Sequence, residues 1–211
     1  TVLDQAGLAQ KGGALVSHVR IGKTPEEIHA VRVSAGGADL ILGCDMVVAA
    51  GQDALAKIDS DKTAVVINSQ ETITGDFARN PKYKFPAQGL IDVIQDASDN
   101  KAEVVAASEI ATALLGDSIA SNLFMLGNAW QKGLVPVGRE AIEQAIEING
   151  VAIDFNKQAF LWGRRAAHNL AAVEKVAQPE TPAPTHHLSE SLEEVIERRV
   201  KFLTGYQDAA Y

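Results

Sequence analysis

The sequence predicts an α/β fold of three layers, α/β/α, in which helices cover both faces of a central, mixed sheet and the second half of the chain is helical. Short apolar segments alternate with helical segments through the first half, a pattern that is typical of α/β domains. The apolar segments 38–43 and 64–68 are continuous, as in strands that are buried on both faces of a sheet. Beyond residue 106 almost every segment has helical spacing.

The N-terminal segments are the reason for expecting strands of both directions. Residues 1–3 predict a strand, and residues 14–21 predict a second strand after a glycine-containing loop at 5–13. Because no helix separates the two strands, their connection does not require parallel pairing. A further short strand is predicted over 30–33.

The remaining elements are marked by capping residues. Asp45 and Ser108 each predict the N-cap of a helix, and Asn149 with Gly150 predicts a helix end. A short strand is predicted over 103–106. The predicted helices cover 46–58, 87–97, 109–115, 118–132, 139–148 and 154–176.

The composition changes once along the chain and divides it into three parts. Residues 1–176 predict one α/β domain, and residues 177–187, rich in Pro, Thr and His, predict a linker. Residues 188–211 predict an amphipathic helix that docks on this domain or on a neighbouring one, since a lone helix cannot bury its apolar stripe. The chain opens inside an apolar segment at Thr1 without a Met, so we expect further sequence upstream.

Composition excludes several classes of function. The chain has 211 residues, a net charge of −8 and a pI near 5.1, which leaves no positive field for nucleic acid. A single cysteine, Cys44, cannot form an internal disulfide, hold an iron–sulfur cluster or complete a tetrahedral zinc site. We expect a cytoplasmic protein with no membrane segment, no metal site and no catalytic residue of its own, because no nucleophile–base or metalloprotease motif is present.

The loop Gln10-Lys11-Gly12-Gly13 is the first candidate for ligand binding. Backbone N–H groups of a glycine-rich turn can form a nest for an anion, and the lysine adds a positive charge. Such a loop suits a phosphate of coenzyme A or the border of a substrate site. The alternative is a tight connection between two strands, with a solvated lysine.

Arg20, Asn68 and Ser69 complete the candidate binding residues. Arg20 shares a strand face with His18 and could bind a carboxylate or phosphate with two hydrogen bonds, or form a structural ion pair. Asn68 and Ser69 end the central strand, and ligands of open α/β sheets bind beyond the carboxyl ends of strands. The alternative for these two residues is a turn in which their side chains satisfy the backbone.

Several landmarks resemble the γ region of the 2-oxoacid:ferredoxin oxidoreductases, the family of the pyruvate, 2-oxoisovalerate and indolepyruvate enzymes. The most specific is the loop at 7–14 followed by Ser-His-Val-Arg at 17–20; the family has a glycine-containing loop, a basic residue, Gly-Gly and a Ser-x-Val-Arg strand. Segments 129–136 and 145–150 resemble the indolepyruvate branch in its long fused form. Further landmarks in the same order are 38–40 with Asp45, 66–69, 116–127 and, in the tail, 198–207.

The resemblance implies one component of an enzyme that oxidatively decarboxylates an aryl 2-oxoacid to an acyl-CoA and passes electrons to ferredoxin. The parent enzyme would hold thiamine diphosphate with Mg²⁺ and iron–sulfur clusters, whereas this chain alone is expected to be inactive. Its partners would be other domains or subunits of that enzyme, and ferredoxin through them. Family members place a strand and a glycine-rich turn ahead of the segment that starts here at Thr1, so any anion contact of that turn lies outside this sequence. The alternative is a purely structural interaction module with no ligand.

Overall fold

The computed structural model describes residues 2–6, 14–71, 85–178, 189 and 191–206. The chain divides into two compact units, Thr1–Gln178 and Pro179–Tyr211. Among the described residues, no helix has the length and apolar character needed to cross a membrane.

The described part of the first unit contains two small sheets. Three parallel strands, β3 (Leu40–Gly43), β4 (Ala64–Asn68) and β5 (Glu103–Val105), pair in the order β3-β4-β5. The strands β1 (Val2–Ala6) and β2 (Leu15–Val19) form a separate antiparallel pair, in which Leu3 lies opposite His18. Both strand directions predicted from the sequence therefore occur, but in two sheets rather than within one sheet.

The strand predicted over 30–33 is wrong. Those residues have no regular structure, and Val31 is 42% exposed. The segment is attached instead through the Val33 N–H, which donates to Nδ1 of His18 at 3.2 Å. A short apolar segment becomes a strand only when the edge of another strand lies beside it. Here the backbone of Val33 bonds to the His18 side chain and not to a strand.

The helices confirm the predicted three layers. Val66 and Val105 pack on one face of the parallel sheet against α4 (Ala107–Leu115), α5 (Ser121–Gln131) and α8 (Leu170–Ala177). Val65 and Ile67 pack on the other face against α1 (Met46–Ala49) and α3 (Ala87–Ala97). The α/β class with a helical second half is thus confirmed. The described helices are α1 (Met46–Ala49), α2 (Gln52–Leu55), α3 (Ala87–Ala97), α4 (Ala107–Leu115), α5 (Ser121–Gln131), α6 (Arg139–Asn149), α7 (Ile153–His168), α8 (Leu170–Ala177) and α9 (Leu192–Tyr206).

Local capping explains where the helix bounds depart from the prediction. Asp45 caps α1 as predicted, accepting from the Val48 N–H at 3.0 Å, but Gly51 at the start of α2 divides the predicted helix 46–58 in two. The predicted helix 154–176 is also divided, because Asn169 leaves helical geometry (φ −155°) and its side chain accepts from the Ala172 N–H.

Helices α5 and α7 pack closely against each other at two glycines. A Cβ atom added to Gly127 would overlap the carbonyl oxygen of Phe160, and one added to Gly163 would overlap that of Phe124. The two backbones approach this closely only because both positions lack a side chain. We call this contact between α5 and α7 the crossing. The Trp130 Nε1–H donates to the Val137 carbonyl at 2.7 Å, which holds the segment after α5 close to the crossing.

The second unit contains α9, within the predicted helical region 188–211. Its first turn is capped by Ser191, whose Oγ accepts from the Glu194 N–H at 3.2 Å. Its apolar residues Leu192, Ile196 and Val200 are exposed. Docking of this helix on another surface stays a prediction.

Candidate functional site

The carboxyl edge of the parallel sheet is the place where this fold gathers polar groups. β3, β4 and β5 are parallel, so Gly43, Asn68 and Val105 end at one edge. Cys44 follows β3, Ser69 follows β4, and Ser108 lies in the first turn of α4, after β5. Open α/β sheets bind ligands at this edge.

Asn68 connects the ends of all three parallel strands. Its side chain is only 1% exposed. Its Nδ2 donates to Ser108 Oγ at 2.8 Å and to the Cys44 carbonyl at 3.2 Å. Its Oδ1 accepts from the N–H groups of Ser108 at 3.3 Å and Gln70 at 3.4 Å. An amide supplies both donors and an acceptor, so Asn68 satisfies the neighbouring backbone, as in the turn alternative, and holds the edge together from inside.

Ser69 is the predicted site residue that this edge presents outward. It is half-buried, and its N–H donates to the Val105 carbonyl at 2.9 Å, extending the pairing beyond β4. Gln70 is exposed beside it. Ser69 and Gln70 therefore lie where a ligand or a partner could meet the carboxyl edge, with Asn68 beneath them. Ser108 is predicted as a helix cap, but it lies within α4, where its Oγ accepts from Asn68 Nδ2.

Cys44 is not arranged as a nucleophile. Burial, and secondly the negative charge of Asp45, raise the pKa of the Cys44 thiol above its ordinary value. The thiol is therefore protonated at neutral pH, whereas reactive cysteines have a lowered pKa beside positive charge. Within the described ranges no group of three His, Cys, Asp or Glu side chains could hold a metal ion.

The second strand, β2, contains His18 and ends at Val19, directly before Arg20. That Arg20 shares the strand face of His18 stays a prediction. His18 is buried and accepts the Val33 N–H, so it anchors the segment that follows β2. Arg20 is half-buried, and its Nη1 donates to the Arg32 carbonyl at 3.2 Å. Arg20 thus follows the antiparallel pair, whereas Asn68 and Ser69 belong to the parallel sheet. The loop Gln10-Lys11-Gly12-Gly13 lies outside the described residues.

The opposite face of β2 is a feature that the sequence interpretation missed. Leu15 and Val19 are 57% and 55% exposed, and Val2, which pairs with Val19, is 61% exposed. Exposed apolar residues that cluster on a surface mark contact sites. We call Val2, Leu15 and Val19 the hairpin face. The sequence does contain a signal for this face, because apolar and polar residues alternate in part along β2. That alternation distinguishes two faces of the strand but does not show which one is buried.

A groove of ≈ 490 Å³ lies between α5, α7 and α8. Its wall includes Trp162, His168 and Val173, and the Arg165 guanidinium lies 4.6 Å from the centroid of the Trp162 ring. The groove is open and mainly apolar, with arginine and histidine at its rim. None of the predicted site residues lines it.

Most of the chain is similar to one known protein family. The family model described as pyruvate ferredoxin/flavodoxin oxidoreductase matches residues 1–166. The indolepyruvate oxidoreductase subunit IorB of Archaeoglobus fulgidus is 28% identical over 165 residues, covering 76% of this chain and 77% of the relative. The subunit of the same name from Methanothermobacter thermautotrophicus is 30% identical over 163 residues, covering 76% and 79%. No solved structure matches the chain significantly. The chain belongs to the pyruvate ferredoxin/flavodoxin oxidoreductase family, as the γ-type domain that its sequence resembles.

Proposed function

We propose that this chain is the γ-type component of a thiamine diphosphate-dependent 2-oxoacid:ferredoxin oxidoreductase that acts on an aryl 2-oxoacid of the indolepyruvate type. The overall reaction releases the carboxyl group as CO₂, transfers the acyl group to CoA and passes two electrons to ferredoxin in the cytoplasm. The similarity to two indolepyruvate oxidoreductase subunits supports the substrate class. The family match over residues 1–166 supports the reaction class.

The cofactors belong to other components in this proposal. Thiamine diphosphate supplies the carbanion chemistry, and iron–sulfur clusters carry the electrons. The chain has one cysteine, half-buried and with a raised pKa, which does not fit a cluster site. No step of the chemistry is therefore assigned to a side chain described here.

The observation that carries the proposed role is the hairpin face. Val2, Leu15 and Val19 project three apolar side chains from one surface of a two-stranded sheet, and a two-stranded sheet is marginally stable by itself. A catalytic component that covers this surface would stabilise it, because burial of apolar area is favourable at about 25 cal/mol per Å². The chain would thus contribute subunit contacts to the complex.

A contribution to the CoA or substrate site is the second part of the proposal. The sequence between Ala6 and Leu15 joins the paired strands β1 and β2 and contains Lys11 with Gly12 and Gly13. Arg20 follows β2 directly. Lys11 and Arg20 would supply positive charge for CoA phosphates or for a carboxylate. Asn68 would act by holding Ser69 in place, since its own amide is engaged inside the fold.

Reconstitution of the complete enzyme tests both parts. The catalytic component is assayed for ferredoxin reduction with indolepyruvate and CoA, with and without this chain. We expect activity only when the chain is present. A Lys11→Ala enzyme should show a KM for CoA raised about tenfold, and Lys23→Ala, which removes an exposed lysine beyond β2, should leave it unchanged.

The engagement of the Asn68 amide inside the fold favours a second candidate, a structural module that binds no ligand. It predicts that Lys11→Ala and Arg20→Ala assemble normally and leave kcat and the KM for CoA unchanged. That outcome would exclude the ligand-binding part and keep the subunit role. Full activity of the catalytic component without this chain would exclude both.

A further inference from the structure

The groove between α5, α7 and α8 has no part in the proposed function. Its lining is mainly apolar and includes Leu161, Trp162, Ala172, Val173 and Val176. Val176 is 61% exposed and Trp162 is half-buried, so the described part of the chain leaves this surface open. Exposed apolar residues that cluster mark contact sites. We call this surface the α8 groove.

Every ionisable side chain in the described lining of the α8 groove is basic. Arg164, Arg165 and His168 lie within five residues at the end of α7, and the described lining contains no Asp or Glu. The chain as a whole has a net charge of −8, so this cluster has the opposite sign to the average surface. A cleft lined by one sign of charge attracts groups of the other sign. The charge of the groove therefore favours an acidic partner.

The two arginines are oriented by aromatic rings and not by carboxylates. The Arg165 guanidinium lies 4.6 Å from the centroid of the Trp162 ring, and that of Arg164 lies 4.8 Å from the centroid of the Trp130 ring. The Arg164 Nε–H also donates to Gln131 Oε1 at 3.0 Å. Neither arginine forms an ion pair with a carboxylate of the described residues. A stacked guanidinium still presents N–H groups at its edge, so both can bind carboxylates of a partner.

The shape of the α8 groove favours a helix as its occupant. The lining extends from Leu161 to Val176 along two consecutive helices, up to about 24 Å at 1.5 Å per residue. A small molecule would stay largely in water here, whereas ligand pockets bury most of their ligand. Amphipathic helices commonly bind with their apolar face in such a groove. A nucleic acid or an anionic membrane would also meet the negative charge of the rest of the chain.

We propose that the α8 groove binds an amphipathic helix of another protein, whose apolar face is bordered by Asp or Glu. The apolar face packs on Trp162, Val173 and Val176, and the carboxylates along its border pair with Arg164 and Arg165. This contact is separate from the hairpin face, none of whose residues lines the groove.

Titration of the full chain with a synthetic peptide tests the site. The probe is a fluorescein-labelled amphipathic helix of four turns, without tryptophan, that carries Leu on one face and Glu along both borders of that face. The matched peptide has Lys in place of every Glu. We expect saturable one-to-one binding of the acidic peptide by fluorescence anisotropy, with a Kd lower than that of the basic peptide by about tenfold or more.

Paired substitutions locate the binding in the groove. Val176→Asp should raise the Kd about tenfold or more, and Val151→Asp, at a valine of similar exposure (65%) outside the lining, should leave it unchanged. Arg165→Glu should also raise the Kd about tenfold. Lys175→Glu makes the same charge change at an exposed position of α8 outside the lining, so it should change the Kd by less than about twofold. All four side chains are exposed, so the fold should be kept.

Tryptophan emission provides an independent measurement of the contact. The unlabelled acidic peptide should change the emission of the natural chain, because Trp162 lines the groove. The change should disappear in Trp162→Phe, which keeps Trp130 and an aromatic ring at position 162.

Three results would overturn the proposal: no saturable binding of the acidic peptide, equal binding of the two peptides, or equal effects of Val176→Asp and Val151→Asp. Sedimentation of the chain alone distinguishes another occupant, since a dimer that Val176→Asp dissociates would assign the groove to a second copy. Saturable binding of dodecanoate without binding of the peptide would assign it to a small amphiphilic anion.

Discussion

Two buried asparagines show how differently the two halves of the first unit use a polar side chain. Asn68, at the carboxyl edge of the parallel sheet, and Asn128, in α5 beside the crossing with α7, are each 1% exposed. The Asn68 amide bonds to three neighbouring residues. Neither polar atom of the Asn128 side chain has a hydrogen-bond partner among the described residues. Equal burial therefore does not mean an equal contribution to stability.

The surroundings explain the difference. At the sheet edge, backbone groups at the ends of three strands need partners, and one amide can supply them. At the crossing, the α-helical backbone is already paired internally and the helices meet at Gly127 and Gly163. A buried polar group without a partner costs about 1–3 kcal/mol. Asn68 should therefore stabilise the fold, whereas Asn128 should not.

The crossing itself should be the most sensitive point. Gly163→Ala places a Cβ against the Phe124 carbonyl oxygen and main chain, so α5 and α7 must separate. We expect the free energy of unfolding to fall by about 3 kcal/mol or more. Gly89→Ala is the control, because Gly89 is exposed within α3 and its added Cβ meets nothing within 4 Å. The free energy of unfolding of that variant should rise by about 0.5–1 kcal/mol, because alanine is the better helix former. Urea unfolding followed by circular dichroism measures both, and similar values for the two would show that the helices can separate at little cost.

The same substitution at both asparagines tests their comparison directly. Asn68→Ala leaves the hydroxyl and N–H of Ser108 and the Cys44 carbonyl without this partner, so we expect a loss of about 2–3 kcal/mol. Asn128→Ala removes a polar group that has no described partner, so we expect a change below about 1 kcal/mol. Differential unfolding in urea gives both values. Equal losses would mean that Asn128 has a polar partner, such as a buried water.

A smaller effect is expected from pH at the carboxyl edge. The pKa of Cys44 is raised in the folded chain, so above the ordinary value of 9.0 the unfolded chain loses this proton first. The unfolded state then binds fewer protons, and the free energy of unfolding falls as the pH rises. Asp45→Asn removes the negative charge that contributes to the raised pKa of Cys44 and keeps a capping side chain. The free energy of unfolding should therefore fall less steeply with pH in this variant. Unfolding curves between pH 8 and 10 measure the slope, and an unchanged slope in a Cys44→Ala chain would contradict this origin.

The smallest effect on folding should come from the hairpin face. Val19→Asp changes an exposed side chain, so the free energy of unfolding of the isolated chain should change by no more than about 0.5 kcal/mol. In the reconstituted enzyme the same variant would bury a charge against the catalytic component, and we expect at least a tenfold loss of assembly. Pull-down with the catalytic component measures it, and Lys23→Asp serves as an exposed control. Normal assembly of Val19→Asp would remove the hairpin face from the contact.

Local signals made much of the fold predictable. The strands at 64–68 and 103–105, the helix α3 and the Asp45 cap follow from apolar runs and capping residues that act within a few residues. The break at Asn169 was missed because the apolar spacing continues across it, while the asparagine side chain caps a new helix. The prediction of a strand over 30–33 was wrong because a strand forms only beside another strand, and the position of that second strand depends on residues remote in sequence.

The candidate site was predictable in place but not in role. The end of β4 was identified from the sequence, yet the direction of the Asn68 side chain depends on Cys44 and Ser108, which are 24 and 40 residues away. Periodicity also could not show which face of β2 is exposed, since both faces carry apolar residues. Where a strand ends can thus be predicted from nearby residues, whereas the burial of its side chains depends on the whole fold.

The crossing at Gly127 and Gly163 also limits how this domain can move. A slide of α5 by one turn, about 5.4 Å, would bring Leu123 or Gln131 to the place of Gly127, against the Phe160 carbonyl. Neither side chain fits there, so the two helices should act as one block with a fixed register. A conformational signal that reaches this layer from a partner must then travel by rotation of the whole block or through the break at Asn169, and not by helix sliding.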